Sequence, residues 1–161
     1  PQEHQSVLAL ADGRVFERVA RPQLAAGRVI GRVWSFRDVT ERERAARALR
    51  ESEASARAFV ENAPHGICRV SPRGRILAAN PALVEMLGYP SAAAMERVAI
   101  AAVFADEAER ERLRARVDAE DDGADAEVLL RRADGREFPA RVHALGERAA
   151  DGAVRHYELY V

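Results

Sequence analysis

Few side chains in this sequence are suited to chemistry. It carries one cysteine, Cys68, and four histidines, His4, His65, His143 and His156. No two histidines stand three or four residues apart, so no helix presents a histidine pair to a metal. A lone cysteine excludes an internal disulfide framework and any site built from several thiolates. No glycine-rich phosphate loop and no nucleophile elbow occurs. His4 precedes a strand-like run and is not expected to carry phosphate on a helix. His65 reads as a loop residue. His143 and His156 fall on adjacent late strands, as cross-strand neighbours or simply as sheet-face residues. Neither catalysis nor a metal site is expected.

Composition narrows the field further. The 161 residues hold 26 acidic and 25 basic side chains, every basic one an arginine, for a net charge of −1. A nucleic-acid binder needs a basic surplus to neutralise phosphates, so none is expected here. No apolar run reaches the roughly 18 residues of a membrane span, and no signal peptide is evident. A cytoplasmic location is the expectation, without membrane contact by this segment. Alanine supplies 33 of the apolar residues, so the core must be modest.

The elements that position these residues follow from turns and periodicity. Ala11-Asp12-Gly13-Arg14 recurs as Ala133-Asp134-Gly135-Arg136, and Phe16 and Phe138 keep the same offset. Each copy lies between strand-like runs, and Asp-Gly predicts a type I′ hairpin with both central residues at positive φ. A third strand-like run follows each hairpin, at 28–39 and 153–161. The chain thus reads as two copies of one module, the first present only as its last three strands. Exposed Val33, Trp34 and Phe36 would then need cover from the second module, the connector helix or a partner chain.

Between the copies, Thr40-Glu41-Arg42-Glu43 fits a capping box that opens a helix over 40–60. Ala45, Leu49, Ser52, Ala56 and Phe59 alternate by four and three, which is a narrow coiled-coil seam. It reads either as a dimerising connector or as an ordinary surface helix. Strands are then predicted at 66–70 and 75–79. Asn80-Pro81 should cap and start a short helix that Gly88 ends. A second short helix follows Ser91 and runs through Val98. A charged helix opens at Asp106, with i,i+3 pairs Glu107–Arg110, Glu109–Arg112 and Glu111–Arg114, and Leu113 and Val117 inward. An acidic loop over 119–125 leads to three closing strands. Two strands, a group of helices and three strands make an α+β module, with helices on one face of an antiparallel sheet.

These stretches resemble the PAS sensory-domain family. The likeness starts at Phe59-Val60-Glu61-Asn62-Ala63-Pro64-His65-Gly66-Ile67 and continues from Gly74 through Asn80-Pro81-Ala82 to Leu87-Gly88-Tyr89. The hairpin at Asp134-Gly135 is similar to the family's late strands. Asp38-Val39-Thr40 looks like the motif that closes one PAS module and opens its signalling helix. The resemblance implies a PAS fold, a five-stranded antiparallel sheet with short helices on one face. Residues 1–39 would end a preceding PAS domain, 40–60 would be the signalling helix, and 61–161 a PAS domain short of its final boundary motif. Asp-(Ile/Val)-Thr is expected one residue beyond Val161.

Function is implied by the same resemblance. The expectation is a non-catalytic sensory and relay module that regulates an output domain of the same chain by rearranging dimer helices. A homodimer through the connector is implied. The expected parent is a bacterial sensor histidine kinase of a two-component system. A diguanylate cyclase or phosphodiesterase, or a ligand-free dimerisation and relay module, are the alternatives. Covalent flavin is not expected, because Cys68 lies on a strand rather than in a helix. Haem is not expected, because no histidine occurs between His65 and His143. A small-metabolite pocket or a filled core remains. Alternation would line such a pocket with Cys68, Val70, Ile76, Val128, Phe138, Ala140 and Tyr157.

Overall fold

Five-residue turns of one design shape both halves of the chain. In each, the first residue's N–H donates to the fifth carbonyl and a glycine N–H donates back to the first. Leu10–Arg14, Ser71–Arg75, Arg132–Arg136 and Ala149–Ala153 share this pattern at 2.8–3.0 Å. Their glycines Gly13, Gly74, Gly135 and Gly152 sit at φ of 79–82° or, for Gly135, 85°. Asp12 and Asp134 are not at positive φ, so the expected type I′ geometry is replaced by a type I turn closed by a left-handed glycine. The reason is the aspartate side chain. It accepts the N–H two residues on, from Arg14 at 3.1 Å and Arg136 at 3.0 Å, which stabilises the longer loop.

The computed structural model describes residues 4–161. It divides into two compact units, one ending at Ser55 and one spanning Ala56–Val161. The first holds β1 (His4–Ala9), β2 (Val15–Ala25) and β3 (Arg28–Asp38) in one antiparallel sheet, ordered β1-β2-β3. Helix α1 (Thr40–Glu61) begins in this unit and ends in the second. Val33, Trp34 and Phe36 are 53, 45 and 59% exposed. The Arg18 guanidinium lies 4.8 Å from the Trp34 ring and roofs it in part.

The β2–β3 connection is where both central residues are left-handed, Ala26 at φ 49° and Gly27 at 77°. A side chain in that region costs about 1–2 kcal/mol for any residue but glycine, with asparagine the best tolerated. Ala26→Asn is therefore expected to stabilise the first unit by about 1 kcal/mol. A thermal melt followed at Trp34 would read it, and an unchanged midpoint would refute the assigned strain.

The second unit contains β4 (Ile67–Val70), β5 (Ile76–Ala79), α2 (Pro81–Leu87), α3 (Ala92–Met95), α4 (Ile100–Val103), α5 (Glu107–Ala119), β6 (Ala124–Arg131), β7 (Glu137–Arg148) and β8 (Val154–Tyr160). Its five antiparallel strands are ordered β5-β4-β8-β7-β6. Inward residues alternate along β4, β6, β7 and β8, whereas in β5 a register shift leaves both Leu77 and Ala78 outside. Cys68, Val70, Val128, Leu130, Val142, Ala144, Tyr157 and Leu159 meet Leu83, Leu87, Met95, Val103, Phe104, Leu113 and Val117 in one core. The opposite face carries Glu127, Arg141, Arg69 and Glu158, which pair as Arg141–Glu127 and Arg69–Glu158.

Local signals place most boundaries. Asn80 caps α2 by accepting from Leu83 N, Pro81 is its first residue and Gly88 ends it at φ 72°. Ser91 and Asp106 cap α3 and α5. Several expectations change. The helix after Ser91 stops at Met95, and α4 is a separate turn whose Ala99 cap makes no side-chain bond. The acidic loop is shorter, because β6 starts at Ala124. On α5 the Glu107–Arg110 pair forms at 2.6 Å, but Arg112 turns to Asp106 and Arg114 to Asp118. His143 and His156 are not opposite one another. His143 faces Tyr160 and bonds Asp125 at 3.2 Å, while His156 faces Glu147.

Candidate functional site

Helix α1 is fastened at each end by a buried polar side chain. At its start, Thr40 is the first helical residue. Its hydroxyl donates to Asp38 Oδ1 at 2.5 Å and accepts from Val15 N at 2.9 Å. Asp38 Oδ1 also accepts from Thr40 N at 2.9 Å. The capping box expected of Thr40 and Glu43 therefore gives way. Asp38 supplies the acceptor and Thr40 ties the helix to β2, while Glu43 N bonds the Val39 carbonyl. The bonds from the Thr40 hydroxyl and then the Thr40 N–H hold the Asp38 carboxyl below its ordinary value. A lowered pKa means that this support is whole above the ordinary carboxylate range and fades as pH falls through the lowered value.

At the far end Asn80 is 4% exposed and uses all four of its hydrogen-bonding positions. Oδ1 accepts from Ile67 N at 2.9 Å and Leu83 N at 3.0 Å. Nδ2 donates to the Val60 carbonyl at 3.1 Å and the His65 carbonyl at 2.9 Å. One side chain thus joins the last turn of α1, the entry to β4 and the start of α2. Sequence reasoning found the cap but not the two carbonyl bonds. Just beyond, Gly66 and Val161 exchange backbone bonds at 3.1 and 2.8 Å.

The seam of α1 faces solvent. Leu49 is 60% and Phe59 80% exposed, and Ala45, Ser52 and Ala56 are exposed too. Arg47 and Glu51 pair beside them at 2.7 Å.

A cavity of about 50 Å³ lies in the second unit between the sheet and helices α4 and α5. Val70, Tyr157, Ala144 and Leu159 line it from the strands, and Ile100, Phe104, Leu113 and Val117 from the helical side. Ser71, Arg110 and Arg114 are its other polar members. The cations are already compensated: Arg110 pairs with Glu107 and Glu111, and Arg114 lies 3.8 Å from Asp118. Tyr157 donates its O–H to Asp118 Oδ1 at 2.7 Å. Burial, then this bond, raises the Tyr157 pKa, so the hydroxyl stays protonated. The wall is therefore apolar with its few polar groups satisfied. Its size compares with about 300–1,000 Å³ for pockets that take drug-sized ligands.

The residues expected to line one pocket are dispersed. Val70 and Tyr157 stand in this cavity wall. Cys68 borders a separate void of about 10 Å³ with Leu83 and Met95. Burial pushes its thiol up to about 12, so no thiolate nucleophile forms. Ile76 and Val128 are buried in the core away from both. Phe138 and Ala140 are half-buried, and the Phe138 ring lies 4.7 Å from the Arg132 guanidinium. Leu113 and Val117 had shown their inward face in the helical pattern, whereas α4 had given no signal. Asp134 and Gly135 form a hairpin and touch no cavity. Among the described residues, no group of three histidine, cysteine or carboxylate side chains could hold a metal.

A family model described as the PAS fold matches residues 55–158, well over half the chain. The chain belongs to the PAS-fold family. The PAS domain of an HTR-like protein from Haloarcula marismortui superposes with a TM-score of 0.60 at 23% identity, covering 74% of this chain and 98% of that one. A domain of a sensory box sensor histidine kinase/response regulator from Geobacter sulfurreducens gives 0.55 at 19%, over 70 and 95%. The PAS domain of a LuxR-family transcriptional regulator from Burkholderia thailandensis, solved in complex with ethanol, gives 0.54 at 16%, over 65 and 94%. No curated protein matches the sequence. At these identities the likeness to the solved PAS domains is one of fold. PAS domains are sensory modules and typically non-catalytic. Among the described residues of this one, no helix is long and apolar enough to cross a membrane.

Proposed function

We propose that this chain is the cytoplasmic sensing and relay segment of a homodimeric sensor histidine kinase. In this reading the first unit is the end of a preceding PAS module, α1 is the signalling helix, and the second unit is the sensor that acts on an output domain. One observation carries it: α1 is anchored at both ends by Asp38–Thr40 and Asn80 while its seam is open. A helix tied so firmly to two units transmits a displacement of either, and an open seam suits a second copy.

The cavity supports a sensor for a small, mainly apolar molecule of a few heavy atoms. Such a ligand acts only through different affinities for two helix arrangements. The satisfied polar groups and small volume favour neither haem nor flavin in this arrangement. The same smallness supports the second reading, a relay that carries no ligand.

Sedimentation equilibrium tests the connector. The chain is expected to be a dimer at high micromolar concentration. Leu49→Arg combined with Phe59→Arg is expected to give a folded monomer, since both side chains are exposed in the protomer. A monomeric parent chain, or a variant that dimerises equally well, refutes this use of α1.

A further inference from the structure

An open groove of about 620 Å³ runs between the β4–β5 turn and the segment joining α3 to α4. Arg73, Arg75 and Arg97 line it, with Glu96 as its one acid and Val98 and Ala99 as apolar wall. These arginines differ from most others in the second unit. Arg69 is paired with Glu158, Arg131 with Glu137, and Arg136 with Asp134. Among the described residues, Arg73, Arg75 and Arg97 have neither an acidic partner nor a ring beneath them. In a chain whose charges almost balance, three guanidiniums without a direct partner against the single carboxylate of Glu96 leave a local positive excess at one cleft.

The groove is also held in shape. Ile100 N donates to the Gly74 carbonyl at 2.8 Å, and Arg75 and Ala99 form an antiparallel bridge. Arg75 N donates to Ser71 Oγ at 3.1 Å, which fixes the turn that carries Arg73. The arginines therefore project from two backbone segments whose spacing is set before any ligand arrives, which lowers the ordering cost of binding.

We propose that this groove binds a nucleoside diphosphate or triphosphate, with the arginines on the phosphates and the Val98–Ala99 wall against the base. Guanidinium forks match phosphate oxygens bidentately. The net charge of −1 gives no long-range pull on a nucleic acid, so the attraction is local and suits a small polyanion. This site adjoins the apolar cavity at Gly74, but its arginines take no part in that cavity's wall, and binding does not depend on dimer formation.

Isothermal titration of the whole chain with ADP, pyrophosphate and citrate tests it. ADP is expected to bind saturably, and pyrophosphate more weakly through the same arginines. Arg73→Ala and Arg97→Ala are each expected to weaken ADP about tenfold. Arg136→Ala, which removes a paired arginine outside the groove, is expected to change nothing. Melting temperatures should be unmoved, because all these side chains are exposed. The proposal is overturned if ADP does not saturate at millimolar concentration. It is equally overturned if citrate binds as tightly as ADP, or if Arg136→Ala weakens binding as much as Arg97→Ala.

Discussion

Asn80→Ala is expected to destabilise the second unit by about 4 kcal/mol. The side chain is buried and all of its bonds go to backbone groups. Truncation removes the α2 cap, itself worth about 1 kcal/mol. It also strands Ile67 N and the His65 carbonyl, where a buried orphan costs about 1–3 kcal/mol, while the Val60 carbonyl keeps its bond from Ala63 N at 3.4 Å. Water reaches some of them, which keeps the total below the plain sum. Against a typical domain stability of about 5–15 kcal/mol the loss is large. Asn80→Asp separates the two halves of the role. It keeps both acceptor bonds but sets a carboxylate oxygen against two carbonyls. The introduced acid therefore has a raised pKa in the folded state. Its protonated form is favoured, so the variant regains stability as pH falls through that raised value. Urea unfolding at two pH values reads both effects. A loss below 1 kcal/mol for Asn80→Ala would show that the joint is not what holds α1 to the sheet.

Ala144→Leu is expected to abolish binding of a small apolar probe while leaving the fold intact. Ala144 is buried in the cavity wall opposite Leu113 and Val117, and the added carbons enter free space. Filling a void of this kind is neutral or stabilising when no neighbour must move. With n-propanol as probe, the parent chain should gain about 2.7 kcal/mol of stability at a hundredfold excess over Kd. The variant should gain none at that concentration. Equal stabilisation of both proteins would place the probe elsewhere, and no stabilisation of the parent would favour the ligand-free relay.

What could be read in advance was what is local in sequence. Asn80, Pro81 and Gly88 act within one turn of chain, and their roles in α2 were legible. The hairpin at Asp134-Gly135 was legible in place but not in type, because the side-chain bond to Arg136 N favours the longer loop. Thr40 carries the local signal of a helix start. Its bond to Val15 lies 25 residues away, beyond any capping pattern. Strand alternation put Val70 and Tyr157 inward, and both stand at the cavity. The same alternation could not show which length of sheet lies beneath α5. Phe138 and Ala140, near the other end of β7, therefore fell outside. Helix α4 leaves no mark in the sequence, because Ala99 offers no side-chain cap and the helix has only four residues. The groove was invisible in the sequence, since Arg73 and Arg97 meet only through the bridge between Arg75 and Ala99.

The pairing of β4 with β8 has a consequence in time. Hairpins β4–β5, β6–β7 and β7–β8 close over short stretches and form early. Arg69 and Glu158, which meet across β4 and β8, are 89 residues apart. At a ribosomal pace of about 5–20 residues per second, β4 waits several seconds for its second neighbour. Throughout that interval its open edge is a hazard for aggregation, and the outward charge of Arg69 is suited to discourage wrong partners. The closing bonds between Gly66 and Val161 lie directly after α1. A nascent chain therefore acquires its helix well before it acquires the linkage that ties the residues after that helix to the end of the sheet, and the second unit is closed only with its final strand.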